Sequence, residues 1–138
     1  MAANNNLDHT KWKFKLNTGD AIPAVGLGMF FPTKLRSTYA ITVCSSVAGT
    51  WQSPPGQVRD AVKVALQKGY RHIDTAFAYG NEKEVGQGIK DSGVPREDIW
   101  ITTKLDNPWH KRVQEGIDSS LKNLGVEYVD LYLMVRRF

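Results

Sequence analysis

Residues 68–105, KGYRHIDTAFAYGNEKEVGQGIKDSGVPREDIWITTKL, decide how this chain is read. A short apolar run ends at Asp74, a polar turn carries Tyr79, a helix-like segment follows, and a second apolar run ends at Lys104. The run Ile99-Trp100-Ile101-Thr102-Thr103 is β-branched and aromatic, as a buried strand requires. Between the two runs, Val85 and Ile89 stand four apart on one helical face, and Gly93-Val94-Pro95 ends the segment. In a parallel β/α architecture the loops after the strands gather on one face, so Asp74, Tyr79 and Lys104 are expected to converge there.

The same alternation extends in both directions. Upstream, Val58, Ala61, Val62, Val64 and Ala65 recur at helical spacing and Gly69 closes the segment, so residues 70–74 read as a strand. Downstream, Val113, Ile117 and Leu121 at i, i+4 and i+8 predict a helix over residues 111–123, and residues 128–134 read as a further strand. Near the amino end Trp12, Phe14 and Leu16 alternate with polar residues before the turn Asn17-Thr18-Gly19-Asp20, which signals a β-hairpin. The fold class is therefore α/β, with about four parallel strands, right-handed crossovers and an amino-terminal β-hairpin. Residues 1–10 are small and polar and are expected to be disordered.

At 138 residues the chain has the size of one domain. A complete eightfold β/α barrel takes about 250 residues. The formal net charge of +4 comes from lysines and arginines dispersed among acids, the pattern of a solvated surface, and no nucleic-acid partner is expected. The single cysteine, Cys44, allows no internal disulfide and no metal-like Cys/His spacing surrounds it, so no metal is expected. The polar amino terminus is not a signal peptide, and no apolar stretch is long enough for a bilayer. A cytoplasmic protein with no membrane association is the expectation.

The words HIDTAFAYGNEKEVGQGI, WITTKL and SLKNLGVEYVDLYLM closely resemble the aldo-keto reductases, with wording nearest to the fungal members, over residues 14–134. The resemblance implies the amino-terminal half of a (β/α)8 TIM barrel whose bottom is plugged by the hairpin, with residues 11–138 as an incomplete barrel domain. It implies reduction of an aldehyde or ketone to an alcohol with NADP(H) as cofactor and a small carbonyl compound as substrate. The family's catalytic roles fall on Asp74, Tyr79 and Lys104, with Asp74 also beside the cofactor. Thr50 and Trp51 match a pair at the cofactor and substrate mouth. Trp109 is either an aromatic lining the substrate pocket or a loop anchor, and Ala78 is either a pocket residue or a packing choice. No GxGxxG stands in the chain, in keeping with the family's barrel mode of NADP binding.

The resemblance breaks in two places. Residues 29–49 separate Gly28 from the expected Thr50-Trp51, and removing them restores GLGTWQSPPGQV without a seam. They read either as an unspliced intron carried through translation or as a surface insertion in which residues 39–44 form a short strand. After Met134 the family's His-Trp-Pro is replaced by Val135-Arg136-Arg137, so its catalytic histidine has no counterpart. His110 is a surface or helix-start residue and does not fill the vacancy. His72 is expected to pack or to satisfy a core hydrogen bond. With half a barrel and two open strand edges, the chain is expected to have little or no reductase activity, the alternative being a non-catalytic half-barrel that self-associates or binds a reductase subunit.

Spacing alone would make Asp74 a turn former, Tyr79 a half-buried packing residue and Lys104 a solvated one. The chemistry that the resemblance assigns them is coherent. A free tyrosine titrates at about pH 10 and gives up its proton reluctantly at neutrality. A lysine ammonium beside it favours the phenolate, and a carboxylate holds the lysine in place and charged.

Overall fold

The computed structural model describes residues 12–28 and 56–134. The expected disordered stretch 1–10, the segment 29–49, Thr50, Trp51 and Val135 lie outside the described residues.

Strands β1 (Lys13–Lys15) and β2 (Ala21–Pro23) form the hairpin, antiparallel, with Phe14 opposite Ile22. The turn between them carries Gly19 at φ 98°, a left-handed conformation that glycine adopts without steric cost. The second sheet takes its strands in chain order, all parallel: β3 (Leu27–Gly28), β4 (His72–Asp74), β5 (Trp100–Leu105) and β6 (Leu131–Met134). Helices α2 (Glu82–Ser92) and α3 (Val113–Leu124) connect the last three, and α1 (Gln57–Gln67) precedes β4. This is the expected partial barrel with its hairpin.

The core lies between the helices and one face of the sheet. Val58, Val62 and Leu66 of α1 meet Val85 and Ile89 of α2 over Ile73 and Ile101, with Ile99 and Leu124 closing the ends. Burying each such side chain stabilises the fold by about 1.5–3 kcal/mol. Helix α2 presents glycines where α1 and the end of α3 come close. A Cβ on Gly88 would stand 2.5 Å from the Arg59 carbonyl oxygen, and one on Gly86 would stand 2.0 Å from the Leu124 carbonyl oxygen.

Two elements differ from their sequence pattern. In α3 the buried positions are Gly116, Ser120 and Leu124, while Val113 is exposed and Ile117 and Leu121 are half-buried. The helix therefore seats a small-residue stripe, with Gly116 against Leu105 and Trp109, and the larger apolar residues flank it. The fourth strand begins at Leu131 rather than at residue 128. Before it, Arg96 donates to the carbonyls of Ile99 and Tyr128 and to Asp130 Oδ2 at 2.6 Å, and its guanidinium stacks 4.0 Å above the Tyr128 ring. Asp130 also accepts the Ile101 N–H at 2.8 Å, so a side chain takes the place of a strand carbonyl.

His72 ties the hairpin to the sheet. Its ring stands 3.0 Å from Thr102 Oγ1, within the influence of the Pro23 carbonyl, and lies beside Gly26. Burial holds the imidazole below its ordinary value of 6.5, and Lys104 adds to this, outweighing the Pro23 carbonyl and the carboxylates of Asp74 and Asp130.

Two outcomes follow. Gly86→Ala, although alanine is the better helix former by about 1 kcal/mol, forces α2 off the end of α3 and is expected to destabilise by roughly 1–3 kcal/mol net, read as a lowered denaturation midpoint. Because His72 is held neutral in the folded chain, the unfolded chain binds the extra proton as pH falls below 6.5, so stability present above that pH is lost beneath it. Melting curves between neutral pH and mild acid should show that loss, and His72→Gln should reduce it.

Candidate active site

Strand pleating sorts β5 into two faces. Ile101, Thr103 and Leu105 point to the helices: Thr103 bonds Glu82 of α2, and Leu105 packs against Gly116 of α3. Thr102 and Lys104 point to the opposite, inner face, where β4 presents His72 and Asp74. The sequence runs apolar or hydroxyl on one side and polar on the other, and it places a full charge on the inner side at the strand's carboxyl end.

Lys104 Nζ donates to Asp74 Oδ1 and, at 2.8 Å, to the carbonyl oxygen of Thr75. The side chains are 17% and 20% exposed, so the pair is partly screened from water and its attraction exceeds that of a surface pair. Two of the ammonium's three donors are thereby fixed. The same nitrogen stands 5.2 Å from the centre of the Tyr79 ring. Tyr79 closes a single 3-10 turn, Phe77–Tyr79, and Gly80 at φ 71° reverses the chain into α2. The three residues singled out in the sequence thus meet at one place.

The substrate candidates divide. Ala78 is exposed on the same turn as Tyr79. Trp109 ends a second 3-10 turn, Asn107–Trp109, after β5, and meets Phe77 edge to face, with ring centres 5.7 Å apart and planes at 85°. Arg112 covers it at 4.9 Å. Trp109 is therefore an anchor, set against Gly116 and Phe77. Thr50 and Trp51 are not among the described residues. Sequence reading passed over Phe77, two residues before Tyr79, whose contact joins the two turns, and also Glu82 behind them. Their signal was an aromatic and an acid flanking the Tyr79 turn, a pattern too common to stand out.

Tyr132, on β6, faces away. Its position opposite Thr103 puts it on the helical side, and burial first, then the charge of Glu82, raises its phenol above the ordinary value. It is poorly placed to compete with Tyr79. Among the described residues no group of three or more His, Cys, Asp or Glu is arranged to hold a metal ion, and no helix is long and apolar enough to cross a membrane.

Several known proteins are similar to this chain. Glycerol 2-dehydrogenase (NADP(+)) of Saccharomyces cerevisiae is 50% identical over 119 residues, covering 86% of this chain and 31% of that protein. D-galacturonate reductase of Hypocrea jecorina is 47% identical over 124 residues, covering 88% and 33%. The crystal structure of an aldo/keto reductase from Brucella melitensis superposes with a TM-score of 0.70 at 41% identity, covering 89% of this chain and 40% of that one. The chain spans about a third of the length of these curated relatives. Residues 45–136 match the model of the Aldo/keto reductase family. With the parallel half-barrel and the strand-end lysine, aspartate and tyrosine already in view, the chain belongs to the aldo/keto reductase family.

Proposed function

We propose that this chain carries the proton-delivering part of an NADP(H)-dependent carbonyl reductase site, with Tyr79 as acid, Lys104 as its electrostatic partner and Asp74 as the group that fixes the lysine. The observation that carries this reading is Lys104 Nζ, bonded to Asp74 and the Thr75 carbonyl while standing 5.2 Å over Tyr79. A phenol, an ammonium and a carboxylate can move and stabilise protons but hold no hydride to give a carbonyl carbon. That donor set fits a site completed by a reduced nicotinamide, which supplies the hydride when bound. Thr50, Trp51 and Asp74 are the residues that would hold it, as the family resemblance implies.

In the step itself the Tyr79 O–H bond breaks and an O–H bond forms at the former carbonyl oxygen as the hydride reaches carbon, giving the alcohol. The phenolate left behind faces the Lys104 ammonium, which opposes the new negative charge, and it regains its proton from solvent. Asp74 and the Thr75 carbonyl keep the ammonium from turning away. Phe77, Ala78 and Trp109 offer an apolar approach for a small aldehyde, ketone or sugar.

Turnover by the 138-residue chain is proposed to be slow. Among the described residues β6 is an edge strand, and its Leu133, opposite Lys104, is 39% exposed, so water reaches the inner face that hydride transfer needs dry. The same exposed edge favours a second reading, a half-barrel that associates through β6 with a second copy or a reductase subunit.

The two readings separate in two measurements. With NADPH and a small aldehyde, Tyr79→Phe should lower whatever kcat the purified chain shows by about 10²–10⁴-fold with KM little changed; a rate indifferent to that change rules Tyr79 out as the acid. Sedimentation over a range of concentrations should show association that Leu133→Lys with Met134→Lys abolishes; a monomer at every concentration removes the second reading.

A further inference from the structure

Behind the Tyr79–Lys104 pair lies a buried polar contact that the proton-transfer chemistry does not use. Glu82, the first residue of α2, is 3% exposed. Its Oε1 accepts from Thr103 Oγ1 at 2.8 Å, and its Oε2 accepts from Asn123 Nδ2 at 3.2 Å. Thr103 is fully buried. A carboxyl taken out of water is tolerated where it is bonded on both oxygens and lies at a helix amino end, and both conditions hold here.

The placement of these partners in the chain gives the contact its consequence. Thr103 directly precedes Lys104 and points to the opposite face of β5. Glu82 follows Tyr79 by three residues, across the tight reversal at Gly80. The Glu82–Thr103 bond therefore joins, from the helical side, the two backbone segments whose side chains face each other on the inner side. Asn123 of α3 fixes the carboxyl from a third direction, so Glu82 cannot follow Thr103 if the strand shifts. An inner-face separation such as the 5.2 Å between Lys104 Nζ and the Tyr79 ring depends on the spacing of those segments.

We propose that Glu82 is a positioning residue that sets the distance between Tyr79 and Lys104 through Thr103. Its catalytic consequence rests on the reductase reading above; the positioning does not.

The test is nuclear Overhauser contact between the Tyr79 ring protons and the Lys104 ε-methylene in the 138-residue chain, labelled at tyrosine and lysine, with a thermal melt as control for folding. The cross-peak should be lost in Thr103→Val, which keeps the shape but removes the hydroxyl, and in Glu82→Leu. It should persist in Glu82→Gln, whose amide oxygen still accepts from Thr103 and whose NH₂ meets the Asn123 oxygen once that amide turns over. An unchanged cross-peak in a cooperatively melting Thr103→Val overturns the proposal, as does its absence in the unsubstituted chain. Should Glu82→Leu fail to melt cooperatively, Thr103→Val decides alone. With NADPH and aldehyde, Thr103→Val should lower kcat by up to about 10²-fold at similar KM, with Glu82→Gln near the parent. If the cross-peaks behave as expected while Tyr79→Phe leaves turnover untouched, the reductase reading fails and the positioning stands.

Discussion

Lys104 places a positive charge at the end of a strand whose other face is packed on two helices, and a charge partly withdrawn from water is stabilised by partners nearby. That stabilisation comes from the neighbouring parallel strand, where Asp74 lies two residues back in register, and from the Thr75 carbonyl as the chain leaves it. The pair holds only if β4 and β5 keep their register, with Asp74 opposite Thr102. Much of the described structure serves that register. The Thr75 N–H extends the ladder to Thr102, His72 adds a side-chain contact to the same threonine, and Ile73 and Ile101 fix the reverse face in the core.

The sheet thereby does two jobs with one alternation. Its helical face is apolar except for Thr103, Tyr132 and the buried Glu82 between them, and its inner face holds the groups with acid–base character. Each polar residue on the helical side either has a partner in an adjacent helix or is a phenol raised by burial. At the amino ends of the strands a different polar knot, Arg96 with Asp130 and the carbonyls of Ile99 and Tyr128, staples β5 to the approach of β6. It lies at the far end of β5 from Lys104. The Arg96–Asp130 and Lys104–Asp74 pairs thus stand at opposite ends of the sheet.

The elements themselves were legible in the residues. Helices α1 and α2 carry their buried residues at a regular spacing, and α2 and α3 close on left-handed glycines, Gly93 and Gly125. The strands β4 and β5 announce themselves by β-branched runs. Legibility failed where packing depends on the absence of a side chain or on a substitute hydrogen bond. Nothing local in α3 says that Gly116 and Ser120, rather than Val113, face the sheet; that follows from how closely Leu105 and Trp109 approach. Nothing local in residues 128–130 says that Asp130 replaces a ladder carbonyl, because its partners Arg96 and Ile101 lie some thirty residues away.

The sequence by itself determined the order of strands and helices, the parallel half-barrel and the family, and it named Asp74, Tyr79 and Lys104, because periodicity and motif are properties of neighbouring residues. Tertiary structure alone decided that the lysine is held by Asp74 and the Thr75 carbonyl over the face of Tyr79, that Phe77 joins Trp109, and that Glu82 backs the site through Thr103. Those are distances between segments distant in the chain, and they are set by strand register and helix packing.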